Sequence, residues 1–226
     1  MKKNYLVILL SLLFFTGYSQ QLSQVTFSGG SGLSWFSLST FQNILIRISP
    51  EGQIIEYGTE EPALYNRNYF APKLRPYIGR VDYYSTESDS AFRGKIKSIG
   101  ACFITYYPSS DYPEKIGKIK SAGSLHFEYY RSSDDVLIAG KIKNIGMDDI
   151  AYYTSFDNEA LKGKLKLAGR TLITYYSSFE DRSIKGKLKS IGSYPYIWYN
   201  SFDRYAGGLK SGAQRQVING VTYIVE

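Results

Sequence analysis

A repeating pattern of polar and apolar positions fills the second half of the chain. Residues 94–100 read Gly-Lys-Ile-Lys-Ser-Ile-Gly, and this alternating stretch returns with small changes every 23 residues. Each copy is followed by an apolar run that ends in an aromatic pair, the first being Tyr106-Tyr107. The lack of insertions or deletions indicates one supersecondary unit used repeatedly. The copies begin at Gly94, Gly117, Gly140, Gly163 and Gly186.

Each unit contains the pattern of two β-strands. In the fourth unit, residues 164–167 alternate Lys-Leu-Lys-Leu, which is the period of a half-buried strand. Residues 172–176 are rich in β-branched and aromatic types, which favours a second strand, and Gly169 supplies the turn between the two. Residues 177–183 are expected to form a loop with one aromatic anchor, Phe179. No window has the spacing of an amphipathic helix, so the sequence predicts an all-β array.

Equivalent positions form columns, and these columns predict two different faces of the sheet. One face is expected to be apolar, built from the aliphatic column that starts at Ile96 and from the first aromatic of each pair. The other face is expected to carry lysines, threonines and the second aromatic of each pair. These aromatic rings can stack on the lysines or on a glycan. The candidate binding residues of this face are Lys95, Lys97, Tyr107, Lys118, Lys120, Tyr130, Lys141, Lys143, Tyr153, Lys164, Lys166, Tyr176, Lys187, Lys189 and Tyr199.

Two architectures fit a unit of two strands. A parallel β-solenoid would stack identical lysines at the ~4.8 Å strand spacing, where like charges destabilise one another. In an antiparallel meander of hairpins, equivalent lysines lie two strands apart. We therefore expect tandem 23-residue units in an extended antiparallel meander sheet, with the solenoid as the alternative. Its apolar face needs a cover, either by curling of the sheet or by packing of the N-terminal region.

The remaining segments are set apart by changes in this pattern. Residues 20–70 are expected to form an N-terminal β cap, with a hairpin turning at residues 49–52 and a loop over 59–71. Residues 71–208 form the array, with one decayed unit before five regular ones. Residues 209–226 are expected to form a capping hairpin, because Asn219-Gly220 between β-formers is a strong turn signal.

The first residues, 1–19, are typical of a secretory signal peptide. A basic start that includes Lys2 and Lys3 precedes an apolar run over 5–15, with small residues at Gly17 and Ser19. A membrane anchor is the alternative, but the run has only about half of the ~20 residues that a spanning helix needs. We expect cleavage near Ser19, a periplasmic or extracellular location, and no transmembrane segment after cleavage.

The aromatic spacing of the later units resembles that of MORN repeats. A tyrosine or tryptophan is followed four residues later by phenylalanine, as in Tyr152 to Phe156 and Trp198 to Phe202. With the Gly-Lys pair and the unit length, the resemblance covers residues 72–210. The Tyr-Xaa-Gly of that family is absent. The resemblance implies an elongated antiparallel sheet that contacts proteins or lipid surfaces and has no catalytic role.

Few residues qualify for catalysis or metal binding. The chain has one histidine, His126, and one cysteine, Cys102, so we expect neither zinc nor thiol chemistry and no cofactor. The sequence contains no phosphate-binding loop, dinucleotide fingerprint or nucleophile elbow. One acidic column follows the second strands and is expected to start turns rather than bind calcium. Its members are Asp111, Asp134, Asp157, Glu180 and Asp203.

The charge and the aromatic content favour a binding surface. The formal net charge is +7, and 22 of the 226 residues are tyrosine. We therefore expect an exported, non-enzymatic β-repeat protein that acts as a scaffold or binding surface for protein or glycan in the cell envelope or exterior. One alternative is a binder of polyanions or anionic membranes through the lysine columns, without specific nucleic-acid recognition. Another is an uncharacterised hydrolase built on carboxylates such as Asp148 and Glu56, with no pair favoured.

Overall fold

The computed structural model describes residues 21–40, 42–61 and 73–226. The predicted signal peptide and most of the predicted loop over 59–71 lie outside these residues. Within the described residues every regular element is a β-strand, as the sequence predicts, and the strands form two large sheets and a two-stranded ribbon. The strands are β1 (Gln21–Ser28), β2 (Gly32–Ser39), β3 (Leu45–Ile48), β4 (Ile54–Glu60), β5 (Leu74–Pro76), β6 (Val81–Tyr83), β7 (Ile96–Ile99), β8 (Cys102–Tyr106), β9 (Ile119–Ala122), β10 (Leu125–Tyr129), β11 (Ile142–Ile145), β12 (Asp148–Tyr152), β13 (Leu165–Ala168), β14 (Thr171–Tyr175), β15 (Leu188–Ile191), β16 (Tyr194–Pro195), β17 (Ile197–Trp198), β18 (Leu209–Ser211), β19 (Arg215–Ile218) and β20 (Val221–Val225).

The larger sheet is the repeat array. Its 11 strands lie in chain order from β6 to β16, and every neighbouring pair is antiparallel. This order confirms the meander and is incompatible with the parallel solenoid. Each regular hairpin turns through two residues, and the glycine at the first of them has a positive φ, as at Gly123 (+55°) and Gly146 (+60°). Glycine adopts this conformation without a steric penalty, which explains the glycine column at this turn.

A β-bulge in the first strand of each unit separates the two lysines that flank the aliphatic residue. In the second unit, Thr105 pairs with Ser121 and Tyr106 pairs with Ile119, so Lys120 has no partner across the strands. The same interruption recurs opposite the first aromatic of the other pairs. An extra residue resets the alternation of side chains along a strand. The prediction that both lysines share one face is therefore wrong.

The loops after the second strands are linked to one another by a ladder of side-chain hydrogen bonds. The carboxylate of Asp135 accepts from the backbone N–H of Ser155 (2.9 Å) and from its hydroxyl (2.7 Å), 20 residues further along the chain. These bonds hold the pKa of Asp135 below its usual range, the backbone N–H of Ser155 being the largest cause. Equivalent contacts join each of the other loops to a serine of the next unit. The accepting side chains are those of Asp89, Glu114, Asn158 and Asp181.

The smaller sheet combines both ends of the described chain. Its seven strands lie in the order β19-β20-β1-β2-β3-β4-β5, and all neighbours are antiparallel except the parallel pair β1 and β20. The hairpin predicted around residues 49–52 forms between β3 and β4. Asn219 (φ +52°) and Gly220 (φ +82°) turn the predicted C-terminal hairpin, which adds to the edge of this sheet. The N-terminal and C-terminal caps are thus parts of one sheet.

This seven-stranded sheet covers the apolar face of the array. Buried residues of both sheets form one core cluster, which includes Phe27 and Phe36 from the cover and Phe127 from the array. Two turns of the smaller sheet also accept hydrogen bonds from the array through their carbonyl groups. The N–H of Ile142 donates to the carbonyl oxygen of Pro50 (2.8 Å), and the N–H of Leu188 donates to that of Gly30 (2.7 Å). Of the two covers that the sequence left open, packing of the N-terminal region is the one observed, and the C-terminal hairpin extends it.

The irregular units at the ends of the array connect the two sheets. In the decayed unit, β5 pairs with β4 of the smaller sheet, whereas β6 pairs with β7 of the array. In the last unit, Leu209 pairs with Trp198 as Leu188 pairs with Tyr175 one unit earlier. Gly208 therefore stands where the regular units have a lysine. Both irregular units lie where the chain passes between array and cover.

Candidate functional site

The lysines before the aliphatic residue, here called the inner lysines, are structural. Their ammonium groups are half-buried against the first aromatic of each pair and donate hydrogen bonds to backbone carbonyl groups. Lys141 donates to Gly163 (2.7 Å), whereas Lys164 donates to Ser31 of the cover (2.6 Å). Burial lowers the pKa of every inner lysine. The inner lysines are Lys95, Lys118, Lys141, Lys164 and Lys187.

The lysines of the bulge, here called the outer lysines, point away from the core. Each ammonium group lies over the ring of the second aromatic of the preceding unit, as Lys120 does over Tyr107 (5.7 Å to the ring centroid) and Lys166 over Tyr153 (5.2 Å). Cation–π contacts of exposed lysines contribute about 0.5 to 1 kcal/mol each. A row of positive charge therefore follows the outer face of the array. Its members are Lys97, Lys120, Lys143, Lys166, Lys189 and Lys210.

The second tyrosine of every pair before Trp198-Tyr199 joins neighbouring units through its hydroxyl group. The hydroxyl of Tyr107 donates to the carbonyl oxygen of Phe127 (2.7 Å), and that of Tyr153 donates to Ile173 (3.1 Å). Tyr84, Tyr130 and Tyr176 make the same bond in their units. Tyr107 is only 5% exposed and Tyr153 only 8%, so the expectation of an open face of tyrosine rings is wrong at these positions. The outer lysines cover these rings.

Three phenylalanines of the loops are almost completely exposed. Phe156 is 95% exposed, Phe179 is 93% and Phe202 is 95%, and they occupy the same position in three consecutive units. The sequence interpretation of Phe179 as a loop anchor is therefore wrong. We call these three residues the Phe row. The signal was available in the sequence, because Ser110 and Ser133 occupy this position in the earlier units and serine is mostly found exposed in folded proteins.

The remaining candidates for chemistry are dispersed. His126 is exposed on β10, and Cys102 is buried in the core. The predicted acidic column lies in the loops, where Asp134 accepts from the N–H of Arg131 (2.9 Å) and Asp203 accepts from that of Asn200 (2.9 Å). Among the described residues, no three His, Cys, Asp or Glu side chains lie close enough together to hold a metal ion. Those residues also contain no helix long and apolar enough to cross a membrane.

The chain matches no protein-family model, no curated protein and no solved structure. The resemblance to MORN repeats therefore stays a prediction.

Proposed function

We propose that this chain is an exported, non-enzymatic β-repeat protein that acts as a scaffold or binding surface for a protein or glycan of the cell envelope or exterior. The Phe row is the contact surface in this proposal. The single observation that supports it is the exposure of three equivalent aromatic rings on adjacent loops. Isolated exposed apolar residues are common, but a regular row of them is a feature of interaction sites.

The Phe row adds nothing to the packing of the folded chain. The two earlier loops fold in the same way with Ser110 and Ser133 at this position, so the loop conformation does not require an aromatic ring. Full burial of a phenylalanine side chain stabilises a complex by roughly 1.5 to 3 kcal/mol. Three rings on one partner therefore supply enough free energy to dominate binding.

The spacing of the units defines the kind of partner that fits. Equivalent loops lie two strands apart, which places successive rings about 10 Å from one another along the edge of the array. An extended partner with a regular surface can contact all three rings at once. A glycan chain, or a protein segment in extended conformation, has this shape, whereas a compact small molecule contacts one ring only.

The outer lysines support a second candidate function, the binding of polyanions or anionic membranes. Six ammonium groups follow one line on the outer face, and each of them lies over a tyrosine ring. A linear polyanion would contact several of them and release counterions, so its affinity would fall steeply with salt concentration. Binding through the Phe row depends much less on salt.

The two candidates are separated by matched variants of the purified protein. One variant, F156S/F179S/F202S, introduces the serine that earlier loops already carry. The other, K120Q/K143Q/K166Q, removes charge from the outer face. Binding to separated protein and glycan fractions of the envelope is measured at low and high salt, and the captured component is identified. Loss of binding in the phenylalanine variant alone supports the first proposal, and loss in the lysine variant with strong salt dependence supports the second.

A further inference from the structure

The two ends of the array are incomplete in complementary ways. In the decayed unit, β5 stands in the place of the first strand but pairs with β4 of the cover, whereas β6 stays in the array. In the last unit, β18 stays paired with β17, whereas β19 stands in the place of the second strand but pairs with β20 of the cover. One end of the array therefore presents a second strand without its first strand, and the other end presents a first strand without its second.

The outer edges of these two strands are open. Among the described strands, none pairs with the outer edge of β6 or of β18. On β6, the carbonyl oxygen of Arg80 accepts a hydrogen bond from β7 side residues, and the N–H of Tyr84 donates in the same direction. The direction of backbone groups alternates along a strand, so the N–H and the carbonyl group of Val81 point away from β7.

Two hydrogen bonds that join regular units are left open at these edges. In a regular unit, the N–H of Tyr196 donates to the carbonyl oxygen of Lys189 (2.9 Å), and the hydroxyl of Tyr176 donates to the carbonyl oxygen of Tyr196 (3.0 Å). Tyr199, the equivalent of Tyr176, has no such partner within the described part of the chain. The residues at the ends that correspond to Tyr196 and Lys189 are Val81 and Lys210.

Apolar side chains at the two edges are exposed where their equivalents are buried. Tyr83 on β6 is 56% exposed, whereas Tyr106 of the next unit is only 7% exposed. Leu209 on β18 is half-buried, whereas Leu188 one unit earlier is fully buried. Tyr106 and Leu188 have paired strands on both sides, and Tyr83 and Leu209 have one on one side only. Each edge therefore lacks the neighbour that would bury its apolar side chain.

A glycine stands on each strand at the point where the chain turns towards the cover. In the hairpin of a regular unit, Ile191 and Tyr194 lie opposite one another. The equivalent residues at the two ends of the array are Gly212 and Gly79. Because neither has a side chain, two such backbones can approach closely at this crowded position.

We propose that β18 of one copy of this chain pairs antiparallel with β6 of a second copy, in the register of a regular unit. The N–H of Val81 in the second copy then donates to the carbonyl oxygen of Lys210, and the hydroxyl of Tyr199 donates to the carbonyl oxygen of Val81. Different surfaces of the two copies meet, so the contact is heterologous and forms either a closed ring or an open filament. This assembly is independent of the Phe row.

The test is disulfide formation between two variants at positions that the junction places opposite each other. Ser190 and Pro195 are opposite in a regular unit, and their equivalents at the ends are Ser211 and Arg80. The Cα atoms of opposite residues in an antiparallel pair are about 4.5 to 5.5 Å apart, which a disulfide can span. Ser211 and Arg80 are exposed, whereas the native Cys102 is buried. A mixture of R80C and S211C is oxidised gently, with each variant alone as a control.

We expect the mixture to form disulfide-linked dimers in at least about tenfold excess over either variant alone, because pairing raises the local concentration of the two thiols. Adding V81P to R80C should lower this yield at least about fivefold, since proline removes the outward N–H and an edge strand tolerates it. Adding Y199F to S211C should lower the yield as well. The control is Y205F, which removes a neighbouring exposed hydroxyl that takes no part in the junction. Melting temperatures check that each variant folds.

The outcomes decide both the proposal and the form of the assembly. Equal yields from the mixture and from the separate variants overturn it, as does efficient linkage of R80C alone, which would mean that two β6 edges pair with each other. A yield that is unchanged by both V81P and Y199F also overturns it. In the double variant R80C/S211C, one linked species of defined mass identifies a ring and a ladder of masses identifies a filament, whereas absence of linkage between chains contradicts the junction.

Discussion

Gly30 lies directly against the indole ring of Trp198, so closely that a Cβ atom built on the glycine would be 1.9 Å from the ring. The contact joins a turn of the N-terminal sheet to the last complete aromatic pair of the array. Gly30 also accepts the N–H of Leu188 (2.7 Å). The close approach of cover and array at this point therefore depends on the absence of a side chain.

Replacing Gly30 with alanine should strongly destabilise the protein. The added methyl group overlaps the ring, and the positive φ of this residue (+65°) is itself unfavourable for alanine. We expect the free energy of unfolding, measured by urea denaturation, to fall by about 3 kcal/mol or more. Gly29→Ala is the control, because its φ is also positive (+57°) but nothing lies within 4 Å of the new atom. A loss of only about 1 kcal/mol in both variants would contradict the close contact.

The tyrosines that begin the aromatic pairs give a second matched comparison. The hydroxyl of Tyr129 donates to Ile119 (2.7 Å), whereas the hydroxyl of Tyr175 has no partner. Both residues are buried. Tyr129→Phe should lower the free energy of unfolding by about 1 kcal/mol, because a hydrogen bond is lost. Tyr175→Phe should leave it unchanged or raise it, because an unsatisfied polar atom is removed. Equal losses in the two variants would mean that the two hydroxyl groups have equivalent environments.

The 23-residue period was enough to predict most of the array. The alternation in each unit predicts both strands, and the glycine column predicts the turns, of which Gly123 is an example. Repulsion between stacked lysines favours the antiparallel order that is observed. These features are local, or they follow from the relation between neighbouring units, so the sequence alone contains them.

The assignment of side chains to faces needed information that alternation does not carry. Lys118 and Lys120 are two residues apart and should share a face, but the bulge sends Lys118 towards the buried ring of Tyr129. The exposure of the second tyrosines was overestimated for another reason, because the hydroxyl of Tyr107 donates a hydrogen bond to the next unit. The contacts that the turns at Gly30 and Pro50 make with the array depend on where two distant turns meet it, and the period of the repeat does not contain that.

Burial of tyrosine hydroxyl groups makes stability sensitive to alkaline pH. It raises the pKa of Tyr196 and of Tyr223 to about 12, and it also raises the pKa of Tyr152. Tyrosine in an unfolded chain titrates near pH ~10. Above that value the unfolded chain has lost protons that the folded chain keeps, so the free energy of unfolding decreases. This contribution is therefore complete below about pH 10 and is lost between about pH 10 and 12.

The inner lysines act in the opposite direction over a lower range. Burial lowers their pKa, so the folded chain releases these protons first, and their contribution favours folding more as pH rises towards the unfolded value of ~10.4. Urea denaturation should therefore show little loss of stability up to about pH 10 and a steep loss above it. Tyrosinate absorbance should rise together with unfolding. Absorbance that rises fully in a protein still folded would contradict the burial of these hydroxyl groups.

The binding surface proposed here makes a graded prediction for the Phe row. Each substitution of a ring by serine should weaken binding to the partner by about tenfold or more, because each ring buries a similar apolar area. Phe156→Ser, Phe179→Ser and Phe202→Ser should leave the melting temperature unchanged, since the rings are almost fully exposed and two earlier loops already carry serine. The control Leu188→Ala, in the core, should lower the melting temperature.

The most direct measurement is the dissociation constant of the captured envelope component for the wild type and for the single, double and triple serine variants. The proposal predicts a stepwise loss of affinity with each ring removed, at constant melting temperature and with little dependence on salt. Binding that is unchanged in the triple variant would contradict the Phe row as the contact surface.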